Sequence, residues 1–412
     1  MGSLPLAPSL PVLWLCGPPG VGKTAVGWEM FSQLAGGGRD IAYVDIDQLG
    51  ICYPEPASDP GRHRMKARNL AAAVARFREA GARCVVVSGV VDSERGVPGG
   101  QLPGAVLTVC RLRADRGELR ERFLGRGGPG EVVDAVLREA DVLDARAFAD
   151  VCVDTSGLKV DGVVCLVRER TGGWPDAAAV VDPHRPSGPA QRGGRAVDAD
   201  GGQVLWLCGA TGVGKSAVGF EVFQQVLRAG RTAAYVDLDQ LGFCSPAADD
   251  GPRLHRMKAE NLAALWHAYR AAGAERLIVT GPVENDAAVG AYTAALPTAT
   301  VTLCRLHAGR EQLTRRIMAR GRGGSWPQPG DPLRGQPTAR LLQAADAAVA
   351  QADALQRAAI GDLCVTTDDR TAEEVAAAVI DQVPSAALAG VRQRTRANSV
   401  PVASRTARAA YP

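Results

Sequence analysis

The stretch Gly17-Pro18-Pro19-Gly20-Val21-Gly22-Lys23-Thr24 decides how this chain is read, because of what stands on either side of it. The apolar run Val12-Leu13-Trp14-Leu15-Cys16 precedes it, and a helical pattern from Ala25 to Leu34 follows. A buried strand, a glycine loop and a helix start, in that order, are what a phosphate-binding loop requires. The glycines let the backbone curl so that successive N–H groups point inward. The helix N-terminus adds positive potential, and a lysine neutralises phosphate oxygens. Proline has no N–H to donate, so Pro18 and Pro19 only stiffen the outer lip. The expected nucleotide-binding set is Gly17, Gly20, Val21, Gly22, Lys23 and Thr24, with the Thr24 hydroxyl on magnesium.

The pattern then recurs. Gly209-Ala210-Thr211-Gly212-Val213-Gly214-Lys215-Ser216 follows Val204-Leu205-Trp206-Leu207-Cys208, and from position 17 to position 209 the offset is 192 residues. Two matches in one register, each after a buried-strand pattern, set aside an ordinary glycine-rich turn. The second set is Gly209, Gly212, Val213, Gly214, Lys215 and Ser216.

The repeat continues past the loops. Tyr43-Val44-Asp45-Ile46-Asp47-Gln48-Leu49-Gly50 matches Tyr235-Val236-Asp237-Leu238-Asp239-Gln240-Leu241-Gly242, and His63-Arg64-Met65-Lys66 matches His255-Arg256-Met257-Lys258. Val85 to Gly89 matches Leu277 to Gly281, and later strand candidates lie at Ala105 to Cys110, Thr300 to Cys304, Asp150 to Val153 and Asp362 to Val365. The offset grows from 194 (Cys110 to Cys304) to 212 (Asp150 to Asp362), so about eighteen residues are inserted in the second half, around Gly323 to Thr338. Their Gly and Pro content reads as a longer surface loop. Strands alternating with helices predict parallel sheets covered on both faces. The expected organisation is an α/β domain over 1–171, a linker over 172–202, a second α/β domain over 203–383 and a disordered basic tail over 384–412.

Composition narrows the partners. A formal net charge of +3 gives no global reason to expect nucleic acid or an acidic membrane; only the tail, with Arg392, Arg394, Arg396, Arg405 and Arg408, offers a local basic signal. No apolar run reaches the length of a membrane span. Ten cysteines without a paired CxxC, with Cys16, Cys84, Cys110, Cys152, Cys208, Cys304 and Cys364 in or beside apolar runs, read as buried reduced thiols and a cytoplasmic location.

Asp45 and Asp47 end the second strand, at the carboxyl edge where open parallel sheets bind ligands. Residues i and i+2 of a strand leave on one side, so both carboxylates can face the cleft, one accepting a proton from an acceptor hydroxyl and the other orienting magnesium. The competing reading is that Asp47 caps the following turn. Asp237 and Asp239 repeat the pair beside the same Gln-Leu-Gly. The metal set is read as Thr24 with Asp47, and Ser216 with Asp239. Arg64 and Arg256 sit where the chain re-enters a helix and are candidates for holding the acceptor; a solvated basic helix start is the alternative, also for Lys66. Leu119-x-x-Arg122-x-x-x-Arg126-Gly127 matches Leu313-x-x-Arg316-x-x-x-Arg320-Gly321, which puts two arginines on one helix face before a glycine, as at the base of a moving flap. Arg126 and Arg320 are the favoured cations over a transferring phosphoryl group. Asp92 and Glu284, acids that follow the third strand, are secondary magnesium candidates, and Ser88 and Thr280, standing at that strand's end where a motor-type ATPase carries an acid, argue against that class.

On these residues the chain resembles the small-molecule and nucleotide kinase branch of the P-loop NTPases, the group of shikimate kinase, gluconate kinase, adenylylsulfate kinase and chloramphenicol phosphotransferase. The resemblance rests on the Gly17 to Thr24 loop, the Asp-x-Asp after strand two and the arginine flap. It implies two tandem P-loop domains, each a parallel five-stranded sheet in the order 2-3-1-4-5, a mobile lid, and ATP-dependent transfer of phosphate to a small acceptor. By that resemblance Lys23, Asp45, Asp47 and Arg126, with Lys215, Asp237, Asp239 and Arg320, form the catalytic sets, and ATP and Mg2+ are the cofactors. The acceptor stays open. The rival expectation is a nucleotide-dependent regulator without an acceptor.

Overall fold

A computed structural model of the chain describes residues 9–92, 96, 102, 104–176, 201–245, 251–283, 285–324 and 330–383. Most of the predicted linker, all of the predicted tail, Glu284 and part of the inserted loop lie outside the described residues.

The first half runs β1 (Leu10–Cys16), α1 (Lys23–Gly36), β2 (Ile41–Asp45), β3 (Cys52–Tyr53), α2 (His63–Glu79), β4 (Cys84–Ser88), β5 (Ala105–Arg113), α3 (Arg116–Gly125), α4 (Val133–Asp144), β6 (Val151–Asp154) and α5 (Val160–Arg170). The second runs β7 (Gln203–Cys208), α6 (Lys215–Arg228), β8 (Ala233–Asp237), β9 (Phe243–Ser245), α7 (Gly251–Ala271), β10 (Arg276–Thr280), α8 (Asp286–Ala295), β11 (Thr300–His307), α9 (Arg310–Gly321), α10 (Thr338–Arg357), β12 (Leu363–Thr366) and α11 (Ala372–Gln382).

Five parallel strands in each half pair as β2-β4-β1-β5-β6 and β8-β10-β7-β11-β12. Counted within a half, that is the order 2-3-1-4-5 that the family resemblance implies. All residues of β2, β4 and β8 are buried, as strands covered on both faces must be, so they read as unbroken apolar runs rather than as an alternation.

Each sheet has a sixth strand, and it comes from the other half. β9 runs antiparallel along β2, with Phe243 opposite Tyr43, Cys244 opposite Ala42 and Ser245 opposite Ile41. Reciprocally, β3 runs antiparallel along β8, with Cys52 opposite Ala234 and Tyr53 opposite Ala233. These additions cover the edges that β2 and β8 would otherwise expose.

The alternation of side chains along the central strands divides the core. Leu13 and Leu15 of β1 face a cluster whose buried members all come from the first half, with Phe243 of β9 packed against it. Leu205 and Leu207 of β7 face one built from the second half and Ile51. The opposite faces, with Val12 and Trp14 from β1 and Val204 and Trp206 from β7, share a single cluster that spans both halves. Within it α2 and α7 pack against each other.

All ten cysteines are free. Seven of them were expected to be buried, and two of those, Cys152 and Cys364, are exposed. They lie on β6 and β12, the outermost parallel strands, where only the neighbouring Val153 or Val365 is buried. Among the described residues no helix is long and apolar enough to cross a membrane.

Candidate functional site

The loop between β1 and α1 is held open by glycine geometry. Gly22 caps α1 with φ 100°, and its counterpart Gly214 caps α6 with φ 101°, the left-handed region that side chains disfavour. Gly17, at φ 142°, passes so close to β5 that a Cβ would stand 2.3 Å from the Leu112 carbonyl oxygen; at Gly209 the same contact with the Leu306 oxygen would be 2.4 Å. The N–H groups of the first helical turn, which have no partner within the helix, therefore open onto the cradle. The lysine that follows each cap is folded onto its own loop: Lys23 Nζ donates to the Pro18 oxygen at 3.0 Å, and Lys215 Nζ donates to the Gly209 and Ala210 oxygens at 3.0 Å each. Burial lowers the affinity of both amines for their protons.

The aspartate pair meets the loop at its hydroxyl. Thr24 Oγ1 donates to Asp45 Oδ2 at 2.8 Å, and Ser216 Oγ donates to Asp237 Oδ2 at the same 2.8 Å. Ser88, at the end of β4, donates to Asp45 Oδ2 at 3.2 Å, and the Asp47 N–H donates to Asp45 Oδ1 at 3.0 Å. The second half repeats the last contact, Asp239 N–H to Asp237 Oδ1 at 3.0 Å. Burial pushes the carboxyls of Asp45 and Asp237 up to about 6, and the neighbouring charges of Asp47 and Asp239 add to the rise.

Asp47 is held from the opposite side. Lys66 Nζ lies 2.7 Å from Asp47 Oδ1 with its side chain only 6% exposed, and Lys258 Nζ lies 3.5 Å from Asp239 Oδ1. Burial acts to raise the Asp47 carboxyl, but the adjacent Lys66 ammonium outweighs it and holds the group below its ordinary value. Space for each lysine stem is made by a glycine: a Cβ on Gly50 would stand 2.6 Å from Lys66 Cγ, and one on Gly242 would stand 2.4 Å from Lys258 Cε. Lys66 and Lys258 are thus buried partners of the aspartate pair rather than a solvated helix start. Three residues further on, Asn69 donates to the Leu49 oxygen at 2.7 Å and Asn261 to the Leu241 oxygen at 3.0 Å, fixing α2 and α7 under the aspartate loops.

The structure does not bring every candidate to this cluster. Arg64 is 54% exposed and pairs with Asp59, while Arg256 is 81% exposed and pairs with Glu260. The helix arginines divide. Arg122 donates to Thr155 Oγ1 at 2.8 Å and to the Thr155 oxygen at 2.9 Å, and Arg316 makes the same two bonds to Thr367, both at 2.8 Å, with a further one to the loop oxygen of Val213 at 2.9 Å. These are fixtures between α3 or α9 and the turn after the fifth strand. Arg126 stands over the Phe123 ring at 5.3 Å, within the field of Asp47. Its counterpart Arg320 donates to Asp331 Oδ2 of the inserted loop at 2.7 Å. The inserted loop thus holds an acid on the second-half arginine.

Two groups from the helix after the flap were not anticipated. Glu139 of α4 lies in the field of Lys23 and Asp47; burial raises its carboxyl, with Lys23 opposing the rise. At the corresponding place in α10, Gln351 Oε1 accepts from the Thr211 N–H at 3.0 Å, a donor that Pro19 lacks in the first loop. Among the described residues no group of three or more His, Cys, Asp or Glu is arranged to hold a metal ion. The donor set beside each loop is one hydroxyl and one carboxylate, hard oxygen ligands that match an ion which keeps most of its water.

No protein-family model and no curated protein matches the chain. Solved structures similar to it include the tunicamycin resistance protein of Deinococcus radiodurans, at 22% identity over 40% of this chain and 96% of that chain, with a TM-score of 0.31. The Mycobacterium tuberculosis APS kinase CysC, in complex with AMPPNP and APS, is 21% identical over 44% of this chain and 96% of that one, with a TM-score of 0.28. A gluconokinase from Sinorhizobium meliloti is 22% identical over 42% and 94%, with a TM-score of 0.27.

Proposed function

We propose that the chain is a kinase with two related nucleotide sites, each binding a nucleoside triphosphate with magnesium, ATP in the leading reading, and transferring its terminal phosphoryl group to a hydroxyl of a small acceptor. One observation carries this: in both halves the hydroxyl after the loop lysine donates at 2.8 Å to the buried first aspartate of the pair, and a buried lysine reaches the half-exposed second. Two carboxylates with different partners are suited to two tasks.

In this reading the N–H groups of Gly20, Gly22, Lys23 and Thr24 receive the phosphate oxygens, and Lys23 exchanges the Pro18 oxygen for them. Thr24 and Asp45 would hold the magnesium, and Ser216 and Asp237 would hold it in the second half. This moves the metal role from the second aspartate of the pair to the first. When bound, the ion neutralises charge on the phosphates. Asp47, oriented by Lys66, accepts the hydrogen bond of the acceptor hydroxyl and takes its proton as the new P–O bond forms and the bond to the nucleoside diphosphate breaks. Arg126, within the field of Asp47, would meet the phosphoryl charge in the first half. Arg320 must exchange Asp331 for it in the second.

Calorimetry with Mg-ATP and Mg-GTP tests the sites. Binding is expected in the intact chain and its loss in Lys23→Ala combined with Lys215→Ala; affinity retained in the double variant rejects the assignment. A panel of hydroxylated metabolites scored for ADP release above the acceptor-free rate then separates a kinase from a nucleotide-dependent regulator, for which no acceptor stimulates release.

A further inference from the structure

Each aspartate pair is joined by a very short connection to the strand that its half lends to the other sheet. After Asp47 the chain makes the 3-10 turn Gln48–Gly50 and enters β3, which lies against β8, the strand ending in Asp237. After Asp239 it enters β9, which lies against β2, the strand ending in Asp45. The junction is continued by a backbone bond from the Tyr235 N–H to the Ile51 oxygen at 2.9 Å.

The lent strands also touch the helices that begin at the phosphate loops. Phe243 of β9 packs its ring 4.9 Å from Trp28 of α1 and 5.9 Å from Tyr43. Tyr53 of β3 packs 6.3 Å from Phe223 of α6. Tyr235, bonded through its N–H to Ile51, directs its hydroxyl to the Ser216 oxygen at 3.4 Å, at the start of α6. A third bridge comes from the inserted loop: a Cβ on Gly330 would stand 1.9 Å from the Trp28 ring of the first half, and the next residue, Asp331, holds Arg320 of the second.

We propose that the two nucleotide sites are positively coupled through these exchanged strands, so that filling one half tightens binding in the other. This rests on the reading that both halves bind nucleotide. The sign follows from ordering. β3 and β9 are two and three residues long, too short to hold their places by pairing alone, so their docking depends on the aspartate loops that carry them. A ligand that fixes one aspartate loop also fixes the strand laid along the other sheet, and the second ligand then has less left to order. Reciprocity requires the same factor in both directions.

The test uses the full chain and the non-hydrolysable analogue AMPPNP with magnesium. The unaltered protein should bind two equivalents with a Hill coefficient above one. In Lys23→Ala the remaining second-half site should be about fivefold weaker or more than in the unaltered protein, and Lys215→Ala should weaken the first-half site by the same factor. Tyr53→Ala with Phe243→Ala should keep two equivalents and bring the Hill coefficient to one. A readout that does not depend on that variant folding is hydrogen exchange in Lys23→Ala: saturating its second half should slow backbone exchange at residues 41–45 and 51–53. Two independent sites with no exchange change in the first half overturn the coupling alone, whereas a single equivalent overturns the two-site reading on which the coupling rests. No binding at all overturns the nucleotide reading and the coupling with it.

Discussion

Asp45→Asn should stabilise the unliganded protein at neutral and alkaline pH while weakening its hold on magnesium and nucleotide. Burial and the neighbouring Asp47 raise the Asp45 carboxyl from its ordinary 3.8 to about 6. Roughly two pKa units at ~1.4 kcal/mol each make a folding penalty of about 3 kcal/mol on the ionised form. The sign follows from proton binding. The folded chain keeps this proton longer than the unfolded one, so the penalty is absent below about pH 4, grows as pH rises, and is complete above about pH 6. Asparagine removes the charge but not every contact. Its oxygen can still accept from Thr24 at 2.8 Å and Ser88 at 3.2 Å, but its amide nitrogen then faces the Asp47 N–H, now 3.0 Å from an acceptor. That loss costs about 1–2 kcal/mol. The net expectation is a gain of about 1–2 kcal/mol at pH 8 that shrinks towards zero at pH 5. Urea unfolding without nucleotide or metal at the two pH values reads both figures, and Mg-ATP affinity should fall at least about tenfold in the same variant. A variant less stable than the parent by the same amount at both pH values would refute the claim that this carboxylate is held against its solvation preference.

Gly50→Ala and Gly242→Ala should each destabilise the chain by about 1–3 kcal/mol, because the new methyl overlaps the buried stem of Lys66 or Lys258. Urea unfolding checks this, and a change below about 0.5 kcal/mol would mean the lysine is free to leave. Thiol labelling followed by peptide mass spectrometry should modify Cys152, Cys165 and Cys364 quickly in the native protein and leave Cys16, Cys52, Cys84, Cys110, Cys208 and Cys304 untouched. Burial also holds the Cys16, Cys52 and Cys208 thiols at about 12, so their thiolate fraction is negligible at neutral pH; labelling of these three at the rate of the exposed three would contradict the core shared by the two halves.

What the sequence revealed and what it hid differ in range. The loops, the aspartate pairs and the five parallel strands were legible because each is specified locally, by a glycine pattern or an apolar run of four residues or more. The exchanged strands were not. Cys52-Tyr53 and Phe243-Cys244-Ser245 are too short to show any period, and their partners lie in the opposite half of the chain. Repetition between the halves marks residues under a shared constraint, and its limits can be seen in neighbouring residues. Arg64 recurs as Arg256 and Lys66 recurs as Lys258, so recurrence ranks them equally, yet the arginines are exposed and the lysines buried. The difference is written elsewhere, in a glycine that stands at position 50 for the lysine at 66 and at position 242 for the lysine at 258, sixteen residues in both cases. A long cationic stem can be buried only where something opposite it gives up its side chain, and that requirement ties two positions together. No described glycine stands against the stem of Arg64 or Arg256 in this way. In a duplicated chain, recurrence of a residue together with the small residue that makes room for it is therefore a stronger mark of a buried functional group than recurrence alone.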